Sequence, residues 1–204
     1  MTDSTQPVLR VVDETDFGLG WLDESKLART SHALVHEGRL WLVDPFEPRE
    51  LEERVLALGE PAGVIQLLDR HARDCSAIAA RLGVPLHVVP RELPGTPFEL
   101  RPVLRNRLWR EVALWWPERR TLVCADALGT IPFFRAGSER TGAHPLLRLL
   151  PPRSLLGLEP EHLLVGHGRG LDAEAAAAVD DAVRHARSRI PRWLLGVPRI
   201  LRAS

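Results

Sequence analysis

Cysteine, lysine and long apolar runs are all scarce in this chain of 204 residues. Cys75 and Cys124 are its only cysteines, too few for a disulfide framework, and a reducing compartment would leave both as thiols. No stretch reaches the roughly 18 apolar residues of a membrane span, which excludes a transmembrane segment. The opening Met1-Thr2-Asp3-Ser4-Thr5-Gln6 has neither a basic patch nor an apolar core, so no secretory signal is expected and a cytoplasmic location follows by default. Net charge is missing as well: 27 basic residues balance 27 acidic ones, so no overall field steers the protein toward nucleic acid, which is not expected as a partner. Lys26 is the single lysine, and the arginine excess is read as genomic bias.

What is present is the balance of a globular protein, with 45% hydrophobic and 26% charged residues. The length favours one domain over residues 1–204, its core spanning about 8–190 and a tail over 191–204. Val8 to Val12 reads as a strand, and Ser31 to His36 with Arg39 to Val43 as a hairpin around Glu37-Gly38. Glu47 to Leu58 has helical apolar spacing, Gly63 to Leu68 is a central strand, Ser76 to Leu82 a helix stopped by Gly83, and Val84 to Val89 another strand. Four prolines make 90–102 a loop. Glu111 to Trp116 and Thr121 to Ala125 form a second hairpin, while 129–154 is an irregular segment able to cover or line a site. Asp172 to Arg189 is the clearest helix, with acidic residues first and arginines last, ended by Pro191. The basic, apolar tail Arg192 to Arg202 reads as docking on the core, its prolines opposing a continuous helix. Trp109, Trp115 and Trp116 are read as core or pocket wall. This order suits two sheets with helices outside.

One short stretch carries chemistry on its own. Glu161 to Val165 runs into Gly166-His167-Gly168, which places His167 at a strand mouth where ligands and metals are held. A histidine in a surface turn is the competing reading.

Four landmarks in order then resemble the metallo-β-lactamase fold superfamily, its glyoxalase II-like hydrolase branch included. Val43-Asp44-Pro45 is similar to the aspartate that ends a hairpin in that family, and Arg70-His71-Ala72-Arg73-Asp74-Cys75 to its H-x-H-x-D-H signature. Asp126 in Cys124-Ala125-Asp126 and His167 in Gly-His-Gly are similar to its later ligands. The resemblance implies an α/β (α+β) four-layer αββα sandwich covering about residues 8–190. It also implies that the family's first-metal positions are Arg70, Ala72 and Arg107, none of which can ligate zinc, because alanine has no donor atom and arginine no free lone pair. The second-metal positions are then Asp74, Cys75, Asp126 and His167, with His71 expected on the surface.

Two readings follow from that pattern. In one, a divergent hydrolase has lost its binuclear centre and keeps at most one zinc or iron ion on Asp74, Cys75, Asp126 and His167. Ester or thioester hydrolysis would then use Asp74 and His167 as catalytic groups. In the other, an ion-free binding or regulatory protein has Arg70 and Arg107 paired with Asp74 and Asp126, so that removing Arg70 would strand a buried carboxylate. The divergent hydrolase is the leading reading and the ion-free protein the alternative, with no bound ion as the expected state of the site. Cys75 at a helix N-terminus can also be read as a nucleophile with His167 as base, against the simpler reading of an inert thiol. The expected partner is a small molecule, an anionic one where the arginines are left unspent. Oligomeric state and substrate identity are left open.

Overall fold

The computed structural model describes residues 7–202, with side chains through residue 196. Met1 to Gln6, read above for targeting, and the side chains of Val197, Ile200 and Leu201 in the tail lie outside the described residues. Strands β1 (Leu9–Thr15), β2 (Gly18–Asp23), β3 (Thr30–His36), β4 (Arg39–Val43), β5 (Glu60–Gln66) and β6 (Leu86–Val88) form one sheet in sequential order. Its first four strands are antiparallel, while β4, β5 and β6 run parallel. Helices α1 (Glu52–Leu56) and α2 (Cys75–Leu82) make the crossovers. The second sheet, in order β12-β9-β8-β7, comprises β7 (Glu99–Arg105), β8 (Arg110–Trp116), β9 (Thr121–Cys124) and β12 (His162–Val165). A two-residue ladder, β10 (Leu128–Gly129) with β11 (Gly142–Ala143), sits in the long connection. Helices α3 (Ala175–Arg184) and α4 (Ile190–Arg202) follow β12.

The layering follows from the period-two alternation of the central strands. In β4, Trp41 and Val43 face the second sheet while Leu40 and Leu42 face α1 and α2; in β5, Ile65 and Val64 divide the same way. The inter-sheet core adds Val112, Leu114, Leu122 and Val123 from the second sheet, and Val179, Ala182 and Val183 of α3 join it. Phe17, Trp116, Phe98 and Trp41 continue the core as a run of edge-to-face rings. Trp109, Trp115 and Trp116 are all buried. The result is a mixed α+β, four-layer sandwich.

Three local expectations are corrected. β2 was not read from sequence because Gly18 and Gly20 mask it, yet β3 passes so close that a Cβ on Gly18 would lie 2.1 Å from the Ala33 carbonyl oxygen. β7 lies inside the supposed loop 90–102 and beyond it; Pro102 is tolerated because β7 is an edge strand and its register shifts between Pro102 and Leu104. The tail forms α4, whose Pro191 stands in the first turn, where its missing N–H costs nothing. Among the described residues no helix is long and apolar enough to cross a membrane.

Candidate metal centre

The C-terminal ends of β4, β5, β9 and β12 meet at one rim of the sandwich, and the loops leaving them carry the polar residues. Asp44 follows β4, His71 lies five residues past β5, Asp126 two past β9, and His167 two past β12. His71, Asp126 and His167 are 8%, 8% and 9% exposed, and one donor atom from each lies within 4.8 Å of the others. Nε2 of His71 is 3.0 Å, and Nε2 of His167 is 3.2 Å, from the same oxygen, Asp126 Oδ1.

The far nitrogens of the two rings decide what the near ones can do. His167 Nδ1 lies 2.8 Å from the Leu27 carbonyl oxygen, and His71 Nδ1 lies 3.2 Å from Asp44 Oδ2. Both partners only accept, so each Nδ1 carries a proton, and a ring that holds no second proton turns an Nε2 lone pair toward Asp126. Asp126 Oδ1, itself buried, has no hydrogen bond directed at it. Two imidazole Nε2 atoms and a carboxylate oxygen thus converge on one spot, which requires either a proton or a cation between them. A tetrahedral zinc ion with ligands at 2.0–2.1 Å sets neighbouring donors about 3.3 Å apart, close to the two observed separations. Outer oxygens holding Nδ1 while Nε2 faces inward is also how metal-binding histidines are oriented. The donor set therefore fits a divalent ion.

The electrostatics reflect the same crowding. Burial acts to lower the His71 pKa, but Asp126 and Asp44 on either side outweigh it and raise it to about 9. Burial acts to raise the Asp126 carboxyl, and the two imidazoles outweigh that, holding it far below the usual carboxylate range. Arg73 lies behind them: its guanidinium donates to the carbonyl oxygens of Thr30 (2.6 Å), Asp44 (2.8 Å) and Gly166 (3.1 Å) and to Ser31 Oγ (3.3 Å). Burial lowers its pKa from the ordinary value, opposed by Asp44 and Asp126, and it stays a cation. Arg73 and Asp44 both adopt left-handed backbone, φ 39° and 43°, a strain that clusters at functional loops.

The surrounding residues fix the cluster in place. Asp44 Oδ1 accepts from the Leu67 N–H at 2.8 Å, locking the loop after β4 to the end of β5. Fully buried Glu111 accepts through Oε1 from the N–H groups of Asp126 (3.0 Å) and Ala127 (2.7 Å), and through Oε2 from Trp109 Nε1 (2.8 Å). Burial pushes Glu111 up to about 8. Its three N–H donors favour the carboxylate, and we take that form as the one holding the Asp126 turn. Gly166 is required by packing: a Cβ there would lie 2.6 Å from the Ala125 carbonyl oxygen and 3.2 Å from His71 Cε1. From the long connection, Phe134 stacks on His167 with centroids 5.7 Å apart, and His144 packs between Phe134 and Trp109 at 5.4 and 4.8 Å. Burial pushes the His144 imidazole down to about 4, leaving it neutral at pH 7. The segment 129–154 thus lines the site.

The structure brings together Asp126 and His167 of the expected ligands and adds His71. The expectation that His71 is a surface residue was wrong, and the reason is a one-residue slip along the signature. Inward-facing positions are His71, Arg73 and Cys75, whereas Arg70 and Ala72 are exposed. Asp74 turns away: its Oδ2 accepts from the Glu47 N–H at 2.9 Å, and it lines a separate cavity with Arg29, Phe46 and Glu47. Cys75 is buried with Sγ near the carbonyl oxygens of Pro45 and His71, and burial pushes its thiol up to about 12, an unreactive state. Arg70 donates to the Leu108 carbonyl, covers the Trp109 ring at 4.8 Å and lies 3.6 Å from Asp69, so it pairs with neither Asp74 nor Asp126. Arg107 is exposed in the β7–β8 turn. The arginine at the centre is instead Arg73, half-buried, and it holds carbonyl oxygens. Its being the one histidine of the segment was the signal that could have found His71; Glu111 and His144 gave no sequence signal.

The sequence matches no protein-family model and no curated protein. Its fold does match solved structures. The DIM-1 metallo-β-lactamase superposes with TM-score 0.59 at 15% identity, over 89% of this chain and 99% of that one. The chain has the metallo-β-lactamase fold. VMB-1 gives TM-score 0.57 at 8% identity over 91% and 97%, and the apo state of the chemotaxis sensor ODP from T. denticola 0.53 at 15% over 88% and 94%. Identities this low mark a divergent version of the fold.

Proposed function

We propose that the protein is a hydrolase of small-molecule esters or thioesters that holds a single divalent ion on His71, Asp126 and His167. The observation that carries this is the convergence of two Nε2 atoms on the buried Asp126 Oδ1, with both Nδ1 atoms committed elsewhere. When bound, a zinc or iron ion supplies Lewis acidity and activates water. The chain's own residues do the rest. Asp44 and the Leu27 carbonyl fix the two tautomers, Glu111 holds the Asp126 turn, and Phe134, His144 and Trp109 form an aromatic wall that limits water and sides the substrate. His144 Nδ1 accepts from the Leu146 N–H, so its neutral ring carries the proton on Nε2 and can donate to a substrate oxygen.

Elemental analysis tests this. Protein expressed with zinc and iron supplements should carry about one ion per chain. His71→Ala and His167→Ala should carry none while remaining folded, and hydrolysis of p-nitrophenyl acetate should fall with ion content. Ion-free wild-type protein with hydrolysis indifferent to chelator would count against it.

A specific observation supports a second reading, an ion-free binding or regulatory protein. His71 between Asp44 and Asp126 can hold a proton instead, and with Arg73 it neutralises the two carboxylates. The same fold serves a chemotaxis sensor. Here His71 itself takes the role once expected of Arg70 and Arg107.

A further inference from the structure

A concavity of about 500 Å³ opens between the end of β6 and the β7–β8 turn. Its polar lining is Arg91, Arg105, Arg107, Arg110, Asn106 and Asp69. We propose that this cavity binds a phosphate-bearing group and, resting on the hydrolase reading above, that it receives the anionic end of the substrate.

The charge balance points to an anion. Four guanidinium groups face one carboxylate, and that carboxylate is already engaged, with Asp69 Oδ2 at 3.2 Å from Arg110 Nε and Oδ1 at 3.6 Å from Arg70. Of the lining arginines, Arg110 commits only its Nε and Arg105 one Nη, to the Pro90 carbonyl. Arg91 and Arg107 make no hydrogen bond or ion pair among the described residues. Like charges gathered round one concavity repel unless an anion enters, and guanidinium forks match phosphate oxygens in pairs. The clustering is local, since the chain as a whole is neutral.

The turn that presents these arginines is built to hold still. Asn106 Oδ1 accepts from the N–H groups of Leu108 and Trp109 at 2.8 and 2.9 Å, the Asn106 N–H returns to the Trp109 carbonyl, and the Trp109 ring is buried. The Asp69 N–H donates to the Arg110 carbonyl at 3.0 Å, tying the turn to the loop after β5. A preformed cavity of this size takes a ligand of metabolite size. Asp69 stands two residues before His71, at most about 7 Å of chain. Arg110 directly precedes Glu111, which holds the Asp126 turn. On the hydrolase reading, a single small molecule would place its scissile carbonyl at the cluster and its phosphate among the arginines. An acyl thioester or ester whose leaving group carries phosphate meets that description.

Titration calorimetry with inorganic pyrophosphate, on wild type and on Arg91→Ala/Arg107→Ala, tests the cavity without reference to catalysis. The double variant should bind at least about tenfold more weakly, and wild-type affinity should fall steeply with salt. The kcat/KM ratio of acetyl-coenzyme A to neutral p-nitrophenyl acetate should also fall about tenfold in the double variant. Equal pyrophosphate affinity in the two proteins, or an unchanged substrate ratio, overturns the proposal. A short single-stranded RNA that competes with pyrophosphate and binds about tenfold tighter would overturn the small-molecule assignment. If pyrophosphate binding is lost in the double variant while wild type hydrolyses neither ester nor thioester, the hydrolase reading fails alone and the anion site stands.

Discussion

Replacing Arg73 by alanine removes the one guanidinium that ties three loops of the rim together. It donates to Thr30 at the start of β3, to the carbonyl of Asp44 after β4 and to Gly166 before His167, so its loss leaves these buried acceptors and Ser31 Oγ without their cationic donor. It also takes a positive charge from beside Asp44 and Asp126. Removing one member of such a buried charged set costs about 3 to 5 kcal/mol. For a chain of this length each kcal/mol lowers Tm by about 2 to 4 °C, giving an expected fall of about 6 to 20 °C for Arg73→Ala in calorimetry. Arg70→Ala is the internal control: Arg70 is half exposed, and its loss should cost no more than about 1 kcal/mol. Arg73→Lys should fall between the two, since an ammonium on a flexible stem cannot span the same set of acceptors. Equal Tm shifts for Arg70→Ala and Arg73→Ala would refute the assignment of Arg73 as the central cation.

Asp13 and Cys75 offer two further tests. Burial raises the Asp13 pKa to about 6, offset only in part by the Gly170 N–H, and its Oδ2 has no partner. With the folded value above the unfolded 3.8, the contribution of Asp13 to stability should decline as pH rises from about 4 to 6 and then level off, so it is read as the difference between wild type and the Asp13 variant. Asp13→Asn keeps the Gly170 contact and suits the left-handed backbone at φ 51°, so it should be more stable than wild type at pH 7.5 by about 1 to 3 kcal/mol, the gain vanishing near pH 4; urea titrations giving a less stable variant at pH 7.5 would contradict this. The Cys75 thiol should resist Ellman's reagent in the native state, and Cys75→Ala should keep both ion content and hydrolysis. Complete loss of hydrolysis in that variant would restore a nucleophilic role for the cysteine.

Where the sequence was legible, a residue type left one physical option. Gly166 can be nothing larger beside the Ala125 carbonyl, and the glycines around His167 mark a strand mouth in the sequence itself. Asp126 closing β9 and Asp44 closing β4 stood out through the resemblance to the metallo-β-lactamase superfamily, whose aspartates end the corresponding strands. Strands β4 and β5 were readable because burial on both faces requires an unbroken apolar run. Where close neighbours set the conformation, reading failed: the glycines of β2 answer to β3 packed on them, and Pro102 in β7 answers to the free edge beside it.

The sequence by itself determined most of the strands and the strand mouth at His167, because periodicity and tight turns are local properties of the chain, while Asp126 and the four-layer arrangement were legible through resemblance to a known fold. Tertiary structure alone decided which face of the Arg70–Cys75 segment turns inward, since moving one residue along a loop exchanges His71, Arg73 and Cys75 for Arg70, Ala72 and Asp74. It alone, too, assembled Glu111, His144 and the four arginines around their sites, because those residues are brought together by strands that meet only once the two sheets have packed.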